Sequence, residues 1–138
     1  MTDESGWRTA KAPSLDDFEA IAHEAYSRLP EGFRRLTAGV IIRIADFPDE
    51  EIVEEMELDS PFDILGLFQG IGMAQAAATM ETGQFPNMIW LYRRPILDYW
   101  AEHDETLGKI VSHVLVHEIG HHFGLSDEDM ERIEASVQ

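Results

Sequence analysis

The side chains best suited to chemistry lie in one run near the C-terminus, whose letters from His117 to Asp127 are HEIGHHFGLSD. Successive residues of an α-helix are rotated by about 100°, so side chains four residues apart lie above one another on one face. His117 and His121 can therefore offer two imidazole nitrogens to one metal ion. Glu118 lies one residue further round the helix, where it can reach a metal-bound water without binding the metal. This spacing predicts a zinc site of the kind that activates water.

A catalytic zinc ion takes three protein ligands and keeps a fourth position for water. We predict Asp127 as the third ligand, because Gly124 allows a sharp turn after the helix and this carboxylate follows three residues later. An alternative role for Asp127 is that of an acidic residue favouring the start of the next helix. The competing ligands are His122 and an acid on the last helix, such as Glu131, although His122 is expected to pack or to hydrogen-bond a ligand. Since the chain has no cysteine, zinc must be held by His, Asp or Glu.

Three further residues are predicted to line a substrate cleft, namely His113, Trp90 and Tyr92. His113 lies one helical turn before the motif. Its alternative role is that of a residue in the core or at its boundary. Trp90 and Tyr92 share one side of a predicted strand, since side chains alternate along a strand, and Ile89 and Leu91 would then face the core. Ordinary packing between helix and sheet is the alternative for Trp90 and Tyr92. A peptide is expected to pair with the edge of the second or third strand. Arg93 and Arg94 either bind a substrate carboxylate or pair with neighbouring acids.

The elements that must position these groups follow from the hydrophobic pattern. A motif helix is predicted over residues 105–123, with Asp104 as its N-cap, and a last helix over residues 127–135, capped by Ser126. A first long helix begins after Ser14 and ends before Pro30. Shorter helices are expected at residues 48–57 and 96–101, and a loop at residues 70–86. Three strands are predicted, at residues 40–44, 64–68 and 88–92.

Length and composition restrict the class of protein. The chain has 138 residues and a hydrophobic fraction of 44%, which predicts one globular domain over residues 1–138 with a flexible polar segment at residues 1–12. It has no apolar run of the roughly 20 residues that span a bilayer and no signal-peptide pattern, so a cytoplasmic protein is expected. The net charge of −17 argues against nucleic-acid binding. Solubility is the simplest interpretation of this charge, and electrostatic steering of basic substrates is the alternative.

The run HEIGHHFGLSDEDM resembles the C-terminal motif of the minimal zincin-like bacterial metallopeptidases, which carry an HExxHHFG helix. The segments LPEGFRRL, VIIRIADFP, ILGLFQG and NMIWLYRRPIL resemble that family more loosely, so the resemblance spans residues 15–135. It implies an α+β fold of the minimal zincin type, with a small mixed β-sheet packed against helices and the HExxH helix near the C-terminus. It also implies zinc at His117 and His121, with Glu118 as general base and Asp127 at the position of the family's acid.

The longer pattern HExxHxxGxxD is also similar to that of the metzincins. Those enzymes continue with a substantial C-terminal subdomain and a methionine turn, and only a few residues follow Asp127 here. We therefore expect this chain to differ from metzincins at the far wall of the cleft.

These observations predict a zinc-dependent metallopeptidase that hydrolyses peptide bonds, with peptides or proteins as its partners. Two other classes share the same residues. One is a zinc-binding regulatory or interaction module of zincin fold without efficient proteolysis. The other is a hydrolase of non-peptide amides that uses the same zinc-bound water.

Overall fold

A computed structural model of the chain describes residues 3–70 and 87–137. The predicted loop at residues 70–86 lies almost entirely outside these ranges. The described residues form seven α-helices, one 3₁₀ turn and three β-strands, in the chain order α1, α2, α3, β1, α4, 3₁₀ turn, β2, β3, α5, α6, α7. The helices are α1 (Asp3–Thr9), α2 (Leu15–Ser27), α3 (Glu31–Leu36), α4 (Glu50–Glu55), α5 (Arg93–Glu102), α6 (Leu107–His122) and α7 (Asp127–Ala135); the 3₁₀ turn is Pro61–Asp63, and the strands are β1 (Ile41–Ala45), β2 (Gly66–Gln69) and β3 (Met88–Tyr92).

The three strands form one mixed sheet in the order β1-β3-β2. β1 pairs with β3 in parallel, and β2 pairs with β3 antiparallel, so that Ile42 and Phe68 both lie beside Ile89. The α+β class and the small mixed sheet predicted from the sequence are confirmed. Because β3 has a strand on each side, it cannot offer an edge to a peptide. Of the two strands predicted to offer that edge, the second is the one that lies at a border of the described sheet.

One face of the sheet carries the core. Ile89 and Leu91 of β3 are fully buried, and residues paired across neighbouring strands point to the same face, so Gly66 and Phe68 of β2 share it. Helices α2 and α6 pack against this side of the molecule. The fully buried side chains of these elements are Phe18, Ala22, Val111, Leu115, Val116 and Ile119.

Helix α6, the motif helix, approaches β2 very closely at Gly66. A Cβ atom at this position would lie 2.6 Å from Val114 Cγ1 and 2.9 Å from the main-chain oxygen of Trp90. Real Cβ atoms essentially never come within 3.0 Å of such neighbours. The missing side chain of Gly66 therefore sets the distance between the sheet and the helix that carries the motif.

The helix starts follow their capping residues. Ser14 accepts a hydrogen bond from the Asp17 backbone, and the Asp17 side chain accepts one from the Ser14 backbone, as predicted. The prediction for the motif helix was wrong: Thr106 and not Asp104 is its N-cap, with the Thr106 hydroxyl accepting from the Lys109 backbone at 3.2 Å. Both residue types cap helices well, so the spacing alone does not choose between them.

Residues 3–9 form the short helix α1, within the segment that the sequence predicted to be polar and flexible. Trp7, its large apolar side chain, is 76% exposed and therefore packs little against the rest of the molecule. Within the described residues, no helix is both long and apolar enough to cross a membrane.

Candidate metal centre

Helix α6 displays three histidines on successive turns of one face, namely His113, His117 and His121. The helix ends at His122, and Gly124 follows in the left-handed conformation with φ +81°. The Leu125 backbone donates to the Gly120 carbonyl at 2.9 Å, which satisfies one of the last free carbonyls of the helix. The turn that the sequence predicted at Gly124 is confirmed, and it sends the chain back toward the histidines.

Helix α7 starts directly after this turn, with Ser126 as N-cap in a reciprocal capping box with Asp129. It packs under the motif helix where Gly120 leaves room, since a Cβ atom there would lie 2.6 Å from Met130 Sδ. Met130 is fully buried and belongs to the core. This contact fixes α7 beside the histidine face of α6, so acidic side chains of α7 meet the histidines.

Asp127 lies where the sequence predicted, in the first turn of α7 and beside His121. Its Oδ1 atom is 3.5 Å from His121 Nε2, and both side chains are well exposed. Two ligands of one tetrahedral zinc, each at about 2.0–2.2 Å from the ion, have donor atoms roughly 3.4 Å apart. The separation of these two atoms therefore fits a pair of zinc ligands. Asp127 also occupies the acidic helix-start position that was its alternative role.

His117 contacts an acidic side chain of α7. Its Nε2 atom is 2.6 Å from Glu134 Oε2 on α7, and its ring lies 5.8 Å from the His121 ring at an interplanar angle of 81°. His113 Nδ1 contacts the other oxygen of the same carboxylate, at 2.9 Å. Among the residues that the structure describes, only His113, His117 and Glu134 bring three donor atoms within 4.8 Å of one another. The predicted set of His117, His121 and Asp127 is therefore not closed in this arrangement of side chains.

Glu134 was not named from the sequence, which indicated an acid of the last helix as a competing ligand with Glu131 as the example. Glu131 is exposed. A usable signal was present, because Glu134 follows Asp127 by seven residues, close to two turns at about 3.6 residues per turn. The two carboxylates thus share one face of α7, as the three histidines share one face of α6.

Glu118 lies beside this cluster and is partly buried. Burial raises the pKa of its carboxyl above the usual value, and the charge of the neighbouring His121 has a smaller effect that lowers it. A carboxylate with a raised pKa is a better proton acceptor than an exposed one, as a general base requires. Glu118 and His121 lie three residues apart on α6, so their side chains are neighbours on the helix surface.

The structure turns two of the three predicted cleft residues away from the motif helix. Ile89 and Leu91 face that helix, so Trp90 and Tyr92 lie on the opposite face of the sheet, because side chains alternate along β3. Trp90 donates from Nε1 to the Gln69 side chain at 2.8 Å, and Tyr92 is only 3% exposed. The expectation that Ile89 and Leu91 face the core is confirmed, and Trp90 and Tyr92 lie on the face away from the motif helix.

Other predicted contacts have simpler outcomes. His122 stacks on Phe68 of β2, with ring centroids 4.0 Å apart, in agreement with its predicted packing role. Arg93 pairs with Asp46 at 2.9 Å and also donates to the Pro13 carbonyl at 2.6 Å, so it follows the alternative of pairing with a neighbouring acid.

An open cavity of about 800 Å³ lies between α2 and the first half of α6. Its lining includes Arg28, Lys109, His113 and Glu134. Glu118, His121 and Asp127 are not among its lining residues. The cavity thus adjoins the His113 end of the histidine row and not the predicted zinc site.

Comparison with known proteins agrees with this fold. A sequence model of the zincin-like metallopeptidases matches residues 37–137, so the chain belongs to the zincin-like metallopeptidase family. A solved structure described as a conserved hypothetical protein from Thermo thermophilus is similar, with a TM-score of 0.52 and 22% identity over 79% of this chain and 92% of that chain. At that identity the likeness concerns the fold. No protein with a curated description matches the chain.

Proposed function

We propose that the protein is a zinc-dependent metallopeptidase in which His117, His121 and Asp127 hold the metal and Glu118 is the general base. The observation that carries this proposal is the pair formed by His121 and Asp127, whose donor atoms are 3.5 Å apart on two helices locked together at Gly120 and Met130. Membership of the zincin-like metallopeptidase family supports the same chemistry.

The donor set suits zinc, which binds imidazole nitrogen and carboxylate oxygen. To complete the set, the His117 side chain has to leave Glu134 and turn toward His121, which is one helical turn away. When bound, zinc supplies Lewis-acid chemistry, lowering the pKa of a water molecule and polarising the peptide carbonyl.

The chain's own residues move the proton. Glu118 accepts it from the attacking water on its carboxylate and delivers it to the nitrogen of the leaving amine. The partial burial that raises the pKa of Glu118 makes its carboxylate a stronger proton acceptor, as the first of these steps requires. The substrate is expected to lie along β2, the strand at the border of the described sheet that packs against the motif helix.

One observation favours a second candidate, a zinc-binding module without efficient proteolysis. In the structure, His117 Nε2 is engaged by Glu134 and not directed to a site shared with His121. A protein that keeps this arrangement would bind a metal ion without assembling the motif ligands around it.

Substitution of Glu118 by Gln separates the two candidates. A peptidase loses about 10²–10⁴-fold in cleavage rate when its general base is removed. We expect Glu118→Gln to keep zinc and to lose cleavage of a mixed peptide library, and a chelator to abolish wild-type cleavage. Glu128→Gln, an exposed acid in the first turn of α7, is the control for the lost charge and should cleave normally.

The opposite results are informative. A zinc-loaded wild-type protein that leaves every library peptide uncut favours the binding module. A Glu118→Gln variant that cleaves as fast as the wild type removes Glu118 from the role of base.

A further inference from the structure

We infer that His113, His117 and Glu134 form a second divalent-metal site, here called the proximal set. It shares His117 with the motif set of His117, His121 and Asp127, so the two sets cannot be filled at the same time. The inference rests on the proposed function only for the assignment of the motif set as the catalytic one.

The geometry of the proximal set converges on one carboxylate. Glu134 Oε1 lies 2.9 Å from His113 Nδ1, and Glu134 Oε2 lies 2.6 Å from His117 Nε2. The two imidazole rings are stacked with centroids 4.0 Å apart and an interplanar angle of 29°. Both ring nitrogens therefore point into the same small volume, and all three ligand atoms lie within 4.8 Å of one another.

A metal ion needs only a small rearrangement to enter this volume. Donor atoms around one tetrahedral zinc are roughly 3.4 Å apart, so each nitrogen–oxygen pair must open by about 0.5–0.8 Å. Side-chain torsions of His113 and Glu134 can supply this opening, since neither residue is fully buried. Two imidazoles and one carboxylate are a ligand set that zinc accepts, with the fourth position left for water.

The surroundings favour a cation at this position. The open cavity reaches His113 and Glu134, which gives an ion a path to the proximal set without passing the motif set. The chain carries a net charge of −17, so the field of the whole protein attracts divalent cations.

Exclusivity follows from His117. A single Nε2 atom binds one ion, and in the structure this atom faces Glu134 while the His121 ring stands 5.8 Å away at an angle of 81°. An ion in the proximal set therefore withholds His117 from the motif set. Cation binding at the proximal set is then expected to inhibit any chemistry that needs the motif set.

The test uses Co²⁺ alone, added to the full chain and followed by calorimetry and by visible absorption. The variant His121→Ala/Asp127→Asn removes two ligands of the motif set. The side chains of His121 and Asp127 are 60% and 85% exposed, so their replacement is expected to leave the fold intact. We expect this variant to bind one Co²⁺ ion. Adding Glu134→Gln should weaken that binding at least tenfold, whereas adding Glu128→Gln on the same background should leave it unchanged.

Three results overturn the inference. The first is that the double variant binds no Co²⁺ although circular dichroism shows it to be folded. The second is that Glu134→Gln does not weaken the binding of Co²⁺. The third is that the wild type binds two ions at once. If the double variant does not fold, the same titrations are carried out on Asp127→Asn, with and without Glu134→Gln. Failure of the proposed function is recognised separately, because it appears as absent peptide cleavage by the zinc-loaded wild type and does not alter these titrations.

Discussion

Substitution of Gly66 by Ala tests how the motif helix rests on the sheet. The added methyl group would lie 2.6 Å from Val114 Cγ1 and 2.9 Å from the main-chain oxygen of Trp90. The valine methyl can move only within a packed core, because Val114 is 5% exposed. The carbonyl oxygen belongs to the central strand and cannot move unless the sheet shifts. The substitution must therefore push α6 away from β2.

The magnitude follows from two opposing effects. Overpacking of a well-packed core costs typically about 1–3 kcal/mol. Replacing glycine by alanine within a strand returns about 0.5–1 kcal/mol, because the unfolded chain loses conformational freedom. Since one of the two clashes involves main chain, the cost is expected in the upper part of its range. We expect Gly66→Ala to lower the free energy of unfolding by about 1–2 kcal/mol.

Urea denaturation, monitored by circular dichroism, measures this change. If the slope of the unfolding free energy against urea concentration is unchanged, the substitution has not altered the unfolded state. Gly108→Ala is the matched control, because Gly108 lies in the first turn of the same helix and a Cβ atom there has no neighbour within 4 Å. We expect this control to be neutral or to raise stability by up to about 1 kcal/mol, as alanine is the better helix former.

A double-mutant cycle identifies the contact responsible. Val114→Ala removes the methyl group that meets the new side chain, so the double variant should be destabilised by less than the sum of the single variants, by about 0.5 kcal/mol or more. If Gly66→Ala is as stable as the wild type, or if its effect adds to that of Val114→Ala without coupling, the close approach at Gly66 does not set the position of the motif helix.

Three further predictions concern other parts of the structure. Burial, with a smaller effect of the Asp49 charge, raises the pKa of Tyr92 to about 12, whereas a free tyrosine titrates near pH 10. Because the folded state holds this proton more tightly than the unfolded state, the stabilisation is present below about pH 10 and is lost as the pH rises toward 12. Tyr92→Phe should remove that part of the pH dependence in urea denaturation; an identical profile would contradict the assignment. Met130→Ala should lower the free energy of unfolding by about 2–5 kcal/mol, because the Met130 side chain is fully buried under Gly120. Thermal denaturation measures this change. A decrease below about 1 kcal/mol would show that α7 is not anchored at this contact. Ser126→Ala should cost about 1 kcal/mol through loss of the cap of α7, and Ser126→Asp, which restores an acceptor, should recover most of it in the same assay.

The sequence predicted the elements well where the signal is local. The capping box at Ser14, the three strands, the turn at Gly124 and the last helix all follow from residues close in the chain. The HExxH spacing likewise placed His117 and His121 on one helical face, because that depends only on helix geometry. The N-cap of the motif helix was misassigned because two good capping residues lie two positions apart.

The tertiary structure decided which groups meet. Alternation correctly assigned Ile89 and Leu91 to the core face, but only packing decided that the histidine-bearing helix covers this face and not the face of Trp90 and Tyr92. The angle of α7 against α6, set by the contact of Met130 with Gly120, brings Glu134 to His117 and His113 and brings Asp127 to His121. The sequence by itself determined the donor atoms and their order along two helices. Only packing of one helix on the other, which depends on side chains far apart in the chain, decided which donors stand within reach of one ion.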